Sequence, residues 1–222
     1  MKKFSAIIFD MDGTIIDTEQ IWNTASIHLL AKRGISIPDK IAKELYKKLN
    51  GVSLFESCKI IKEMAQLSEE VHELINENNL LANQLYEKGI TFVEGFAEFH
   101  KKLAPYSIKS GVATNATPST VEVTNKILNL EQFFGKHIYN ISDVNNIGKP
   151  DPAIYLHTAK KLETDPKLCL AIEDSTAGIK AAKAAGMFCI GINTSKDRSR
   201  LEYADMIIDG YCEINLLDLL KK

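Results

Sequence analysis

Two aspartates one residue apart open the run Asp10-Met11-Asp12-Gly13-Thr14. Burying two like charges together is unfavourable unless a cation joins them or one stays protonated. Both solutions are chemically useful. An ionised, metal-bound Asp10 can attack phosphorus, while Asp12, its pKa raised by neighbouring negative charge, can protonate the leaving oxygen. Gly13 permits the tight turn this needs. The bland reading, a turn that happens to be acidic, weakens as further groups of matching chemistry accumulate along the chain.

Three such groups follow. Thr114-Asn115 offers a hydroxyl and free backbone N–H groups, which can hold phosphoryl oxygens; taken alone, a threonine there is more often part of a turn or cap. Lys149 precedes Pro150-Asp151-Pro152, a stiff entry to the next segment, and could neutralise charge on both a nucleophile and a phosphoryl group. Glu173-Asp174 supplies hard oxygen ligands of the kind Mg²⁺ prefers. Alternatively, Asp174 or Ser175 merely caps a helix.

The elements that must position these groups are legible as apolar runs. Phe4 to Phe9 is β-branched and aromatic and ends abruptly at Asp10, as a buried strand delivering acids to a loop does. Ile108 to Ala113, His137 to Ile141, Leu168 to Ile172, Phe188 to Ile192 and the weaker Met206 to Ile208 read the same way. Helical signals separate them: Thr117 then Pro118, and Asp151 then Pro152, fit an N-cap followed by the first helical position, and Ser175 to Ala185 is closed by Gly186. Strands alternating with helices predict an α/β doubly wound parallel sheet, with ligands at the carboxyl ends of its strands. Between Asp17 and about Lys88 the β-branched runs vanish. Apolar residues there recur at helical spacing, as in Ile21, Ala25, His28 and Leu29, so an all-helical insertion is expected, placed to close over the acidic loop. Linkers are expected near Ile15 to Thr18 and Gly89 to Glu94.

Composition removes whole classes of function. The 222 residues are 45 % hydrophobic and 25 % charged, enough for a packed core and too ordered for intrinsic disorder. With 27 basic and 29 acidic residues the net charge is −2, far from the basic excess of a nucleic-acid binder, and no basic stripe with interleaved aromatics appears. The four cysteines form no CxxC pair and the five histidines no metal-like spacing; Cys169 and Cys189 sit inside apolar runs as small hydrophobes of a reducing compartment. Neither a signal peptide nor a membrane span is expected, and a cytoplasmic monomer is the plain expectation.

The order of the motifs, DxDGT, then Thr, then Lys-Pro, then Glu-Asp, resembles the haloacid dehalogenase superfamily. The stretch Phe9 to Glu19 (FDMDGTIIDTE) and the helical insertion behind it look like the β-phosphoglucomutase-like sugar-phosphatase branch. The resemblance implies a Rossmann-like core over 1–16 and 90–222 with a helical cap over 17–89. It further implies that Asp10 is a nucleophile forming an aspartyl-phosphate, that Asp12 is the general acid and then the base, that Thr114 and Asn115 bind the phosphoryl group, and that Lys149 holds nucleophile and phosphate. Mg²⁺ would be held by Asp10, the backbone carbonyl of Asp12, and Asp174, with Glu173 contributing directly or through water. The substrate would be a small phosphorylated metabolite, with a sugar phosphate as the leading class.

Two alternatives stand beside hydrolysis. One is a β-phosphoglucomutase-type phosphosugar mutase, which Gly51-Val52-Ser53 resembles; in that family the loop leads to an arginine, and a cap histidine lies twelve residues after the nucleophile. Here Leu54 and Trp22 occupy those positions, which favours net hydrolysis. The other is a non-catalytic phosphometabolite-binding protein, which the intact acidic positions argue against. Among cap residues, Glu19, Trp22, Asn50 and Gly51 are candidates for substrate contact, with packing, capping or surface roles as the competing readings.

Overall fold

In a computed structural model describing residues 4–49 and 52–220, the chain runs β1 (Ala6–Phe9), α1 (Glu19–Ala31), α2 (Asp39–Leu49), α3 (Leu54–Ala65), α4 (Val71–Tyr86), α5 (Phe96–Lys101), β2 (Lys109–Ala113), α6 (Pro118–Leu128) and α7 (Glu131–Phe134). It continues through β3 (Ile138–Tyr139), α8 (Ala153–Lys161), β4 (Cys169–Glu173), α9 (Thr176–Ala184), β5 (Phe188–Ile192), β6 (Met206–Ile208) and α10 (Leu216–Leu220). The strands form one parallel sheet in the order β3-β2-β1-β4-β5-β6. The doubly wound fold expected from the alternating runs is the fold observed, with an all-helical stretch between β1 and the rest.

Side-chain alternation along β1 builds two cores at once. Ile7 and Phe9 enter one cluster with Phe96, Phe99 and Phe134, whereas Ala6 and Ile8 enter the other with Ile154, Tyr155 and Ile179. Phe9 meets Phe96 edge-on at 5.7 Å between ring centres. Helices therefore cover both faces, which is why every residue of β1 is apolar and buried. The chain leaves β1 for β2 on one side and later returns to β4 on the other. The order reverses between β1 and β4, and a crevice opens at their carboxyl ends.

Local signals act mostly as their chemistry dictates. Thr117 caps α6 by accepting from Thr120 N, and Ser175 caps α9 by accepting from Gly178 N. The helix expected from Asp151-Pro152 starts one residue later: Asp151 Oδ1 accepts from Ala153 N, and Pro152 takes the cap position of α8. The run His137 to Ile141 yields only two strand residues, because β3 is an edge strand with a single neighbour.

In the insertion, α1 and α3 both pack against α4, burying Leu29, Cys58, Ile61, Leu74 and Leu81. The two chain crossings into and out of it lie side by side. Ile16 bridges Phe92 in antiparallel sense, Asp17 N donates to Thr91 O at 3.0 Å, and Val93 N donates to Ile15 O at 2.9 Å. The two expected linkers are thus paired with one another, with Ile15, Ile16, Thr18 and Ile90 buried and Asp17 and Thr91 exposed. Among the described residues no helix is long and apolar enough to cross a membrane.

Candidate active site

Asp10 directly follows β1, and its N–H continues the sheet by donating to Ile172 O at 3.0 Å. Glu173 closes β4, the neighbouring strand, so the switch in strand order itself brings the first acidic motif beside the last. Lys149 joins them. Its Nζ donates to Asp10 Oδ1 and to Glu173 Oε1, each at 2.6 Å, with the ammonium almost fully buried.

Glu173 has no oxygen left over. Oε1 also accepts from the Tyr155 hydroxyl at 2.8 Å, and Oε2 accepts from Asp174 N, Ser175 N and Ser175 Oγ at 3.0–3.2 Å. Such a fully bonded carboxylate can lie at 0 % exposure without a penalty for unmet bonds. Gly178 makes room for it, since a Cβ there would stand 1.7 Å from Glu173 Oε1.

Asp10 is different. Among the described residues only its Oδ1 has a donor, and the residue lines a cavity of about 890 Å³. Asp12, Thr114, Asn115, Lys149, Asp174 and Trp22 line the same cavity, so residues far apart in the chain meet at one place. Thr114 Oγ1 accepts from Ala116 N at 3.0 Å, fixing the loop after β2. Asn115 Oδ1 accepts from Lys149 N at 3.0 Å and ties that loop to the lysine's own. Glu19 opens α1 with its side chain outside the described residues, as are Asn50 and Gly51 altogether.

Asp12 is held from the insertion. Its Oδ1 accepts from Thr18 Oγ1 at 3.0 Å, from Trp22 Nε1 at 3.2 Å and from the Tyr86 hydroxyl. Trp22 therefore orients a carboxylate as well as lining the cavity, a third role beside the packing and substrate contact expected of it. Burial raises the Asp12 pKa, and these three donors oppose the rise.

The electrostatics of the floor ask for a cation. One ligand oxygen each from Asp10, Glu173 and Asp174 lies within 4.8 Å of the others, all three residues buried. Burial first, then repulsion from Glu173 and Asp174, lifts Asp10 well above the ordinary carboxylate value against the pull of Lys149. Burial and Glu173 push Asp174 up to about 7, although Arg200 Nη2 reaches its Oδ2 at 3.4 Å. Burial lowers the Lys149 pKa, yet Asp10 and Glu173 together carry it above the ordinary lysine value, so this ammonium stays charged. The Lys149 ammonium and the Arg200 guanidinium do not offset three carboxylates. A hard divalent cation fits the donor set, with Asp10 and Asp174 as the carboxylates that face the cavity. Gly13 belongs to the same fit: its φ is +77°, and a Cβ on it would come within 2.4 Å of Asp174 Oδ2.

Thr18, Tyr86, Tyr155, Arg200 and His72, which also lines the cavity, were not visible as site residues from sequence. Thr18 stands four residues before Trp22 on the same helical approach, the only signal among them.

Comparison with known proteins agrees with this geometry. A family model described as "Haloacid dehalogenase-like hydrolase" matches residues 7–192. The chain is 31 % identical over 222 residues to a β-phosphoglucomutase of Bacillus subtilis (strain 168), covering 95 % of this chain and 92 % of that protein. It is 26 % identical over 225 residues to hexitol phosphatase B of Escherichia coli (strain K12), covering 99 % and 98 %. A solved haloacid dehalogenase (HAD) hydrolase, family IA, variant 3, from Entamoeba histolytica HM-1:IMSS superposes with a TM-score of 0.84 at 25 % identity, covering 99 % of this chain and all of that one.

Proposed function

The chain belongs to the haloacid dehalogenase-like hydrolases, and on that premise we propose that it hydrolyses a small phosphate monoester, of the sugar-phosphate class, in a Mg²⁺-dependent reaction through an aspartyl-phosphate at Asp10. The working division is a core of residues 1–16 and 90–222 that performs the chemistry, and a cap of residues 17–89 that covers it. The observation carrying this reading is the unequal treatment of Asp10. One oxygen is fixed by Lys149 while the other has no donor among the described residues, in a residue lining the cavity where Asp12 also stands.

Mg²⁺ would be held by Asp10, the backbone carbonyl of Asp12, and Asp174, and would supply positive charge where a phosphate dianion must meet a carboxylate. This chain's residues do the rest. The free oxygen of Asp10 attacks phosphorus, the bond to the ester oxygen breaks, and Asp12 gives its proton to the departing oxygen. A water then attacks the phosphoryl group, Asp12 takes that water's proton, and phosphate leaves with Asp10 restored. Lys149 keeps Asp10 oriented and offsets its charge, and the Thr114 hydroxyl and Asn115 hold phosphoryl oxygens. Glu173, its oxygens occupied, acts through Lys149, and any part it takes in metal binding runs through water.

The sugar-phosphate class draws support from relatives whose names specify phosphorylated sugars and polyols. The 31 % identity to a mutase keeps phosphosugar isomerisation as the second reading; Trp22 and Leu54, both lining the cavity, weigh against it. The test is phosphate release from sugar phosphates, nucleotides and phosphoglycolate, with and without Mg²⁺, beside an Asp10→Asn variant. Glucose 1,6-bisphosphate with β-glucose 1-phosphate is included to catch isomerisation. Metal-dependent release that vanishes in the variant is expected. Release that persists in Asp10→Asn would sink the mechanism.

A further inference from the structure

The floor and the wall of the cavity differ in kind. The floor carries its two cations, Lys149 and Arg200, each already facing carboxylates. The wall contributed by the insertion mixes apolar side chains such as Leu54 and Ile75 and the imidazole of His72 with amides, among them Asn76, Asn78 and Asn79. Among the described residues, no lysine or arginine of the insertion lines the cavity.

One of these amides is incomplete. Asn78, on α4, is 1 % exposed, and its Oδ1 has no hydrogen-bond partner among the described residues. Buried polar atoms are rarely left unpaired, and a site built around one discriminates strongly for the group that completes it. An amide oxygen only accepts, so the missing partner must donate. A hydroxyl does; a carboxylate or an ionised phosphate does not. The placement fits a substrate. Asn78 precedes Tyr86 by eight residues, roughly 12 Å along a helix, and Tyr86 touches Asp12. An ester bound with its leaving oxygen at Asp12 would thus extend its distal hydroxyls along α4.

We propose that Asn78 is a specificity-determining residue that accepts a hydrogen bond from a hydroxyl of the leaving group, so that the site selects neutral, polyhydroxylated phosphate esters over esters carrying a second anion. The inference rests on the phosphatase reading above and sharpens its substrate class.

The test measures kcat/KM of the Mg²⁺-loaded full chain on glucitol 6-phosphate, glucose 6-phosphate, 6-phosphogluconate and p-nitrophenyl phosphate. The unaltered protein should prefer glucitol 6-phosphate over 6-phosphogluconate by about 10-fold or more. Asn78→Leu should lower kcat/KM on glucitol 6-phosphate by about 10- to 100-fold while leaving p-nitrophenyl phosphate within about twofold. Asn78→Ser, a milder change, should follow the same pattern if the leucine variant fails to fold. Equal losses on both esters, no loss on either, or equal turnover of 6-phosphogluconate by the unaltered protein would overturn the inference alone. No release from any of the four esters would overturn the phosphatase reading, and this inference with it.

Discussion

Tyr86 donates its phenolic hydroxyl to Oδ1 of Asp12, joining the end of α4 to the loop after β1 across 74 residues of chain. A tyrosine buried at 0 % exposure needs a partner for its hydroxyl, and here the partner is the proposed acid and base. Tyr86→Phe keeps the ring, which packs edge-on against Trp22, and removes only the donor. We expect kcat to fall about 10-fold with KM little changed, because general acid–base catalysis depends on a carboxylate held in place. Steady-state phosphate release decides it. A KM effect without a kcat effect would make Tyr86 a wall residue.

Lys149→Met removes the ammonium shared by Asp10 and Glu173. Breaking a buried pair by deleting one partner costs about 3–5 kcal/mol, and that loss should appear in urea unfolding at pH 7 without added metal. Activity should fall below detection. A stability change under about 1 kcal/mol would mean that the two carboxylates do not depend on the lysine.

Gly178→Ala probes the support beneath the site. The new methyl would overlap Glu173, whose displacement carries Lys149 with it. Overpacking of this kind costs about 1–3 kcal/mol, and a shift of about 1 Å in a positioned group can cost about 100-fold in rate. Both losses are expected together, read by thermal unfolding and by kcat. Full activity in this variant would show that Glu173 can move without consequence.

His100 gives a pH dependence independent of the acidic floor. It packs between Phe96, Phe133 and Phe134, and burial lowers its pKa to about 4. Unfolded, it titrates near its ordinary 6.5. The unfolded chain therefore binds the extra proton between those values, and this group's contribution, intact above pH 6.5, is lost as the pH falls toward 4. His100→Gln should flatten the decline in unfolding midpoint between pH 7 and pH 5. An unchanged slope would place the acid sensitivity elsewhere.

Much of this architecture is readable from residue types. Phe4 to Phe9 predicts β1 because a strand buried on both faces has no polar side to show, and the six expected runs are the six strands of the sheet. Asp10, Asp12 and Asp174 announce themselves by charge beside apolar runs, and Lys149 by the prolines that follow it. What escapes is whatever depends on side chains meeting across the fold. Tyr86 and Tyr155 lie within the two apolar clusters, yet each spends its hydroxyl on a site carboxylate. Glu173 looks like Asp174 in sequence, and only an account of its oxygens separates the two. Asn78 is one asparagine among several in Asn76-Glu77-Asn78-Asn79, distinguished by burial alone.

The paired crossings at Ile16 and Phe92 have a modular consequence. Because the chain departs and returns at adjacent points, the distance a replacement must span is the width of one strand pair. Exchanging the residues between them for another helical unit is expected to leave the strand order of the sheet and the register of β1 with β2 and β4 unchanged. The graft would not be neutral for the chemistry, because Thr18, Trp22 and Tyr86, the three donors to Asp12, lie within the exchanged segment and any replacement must supply their equivalents.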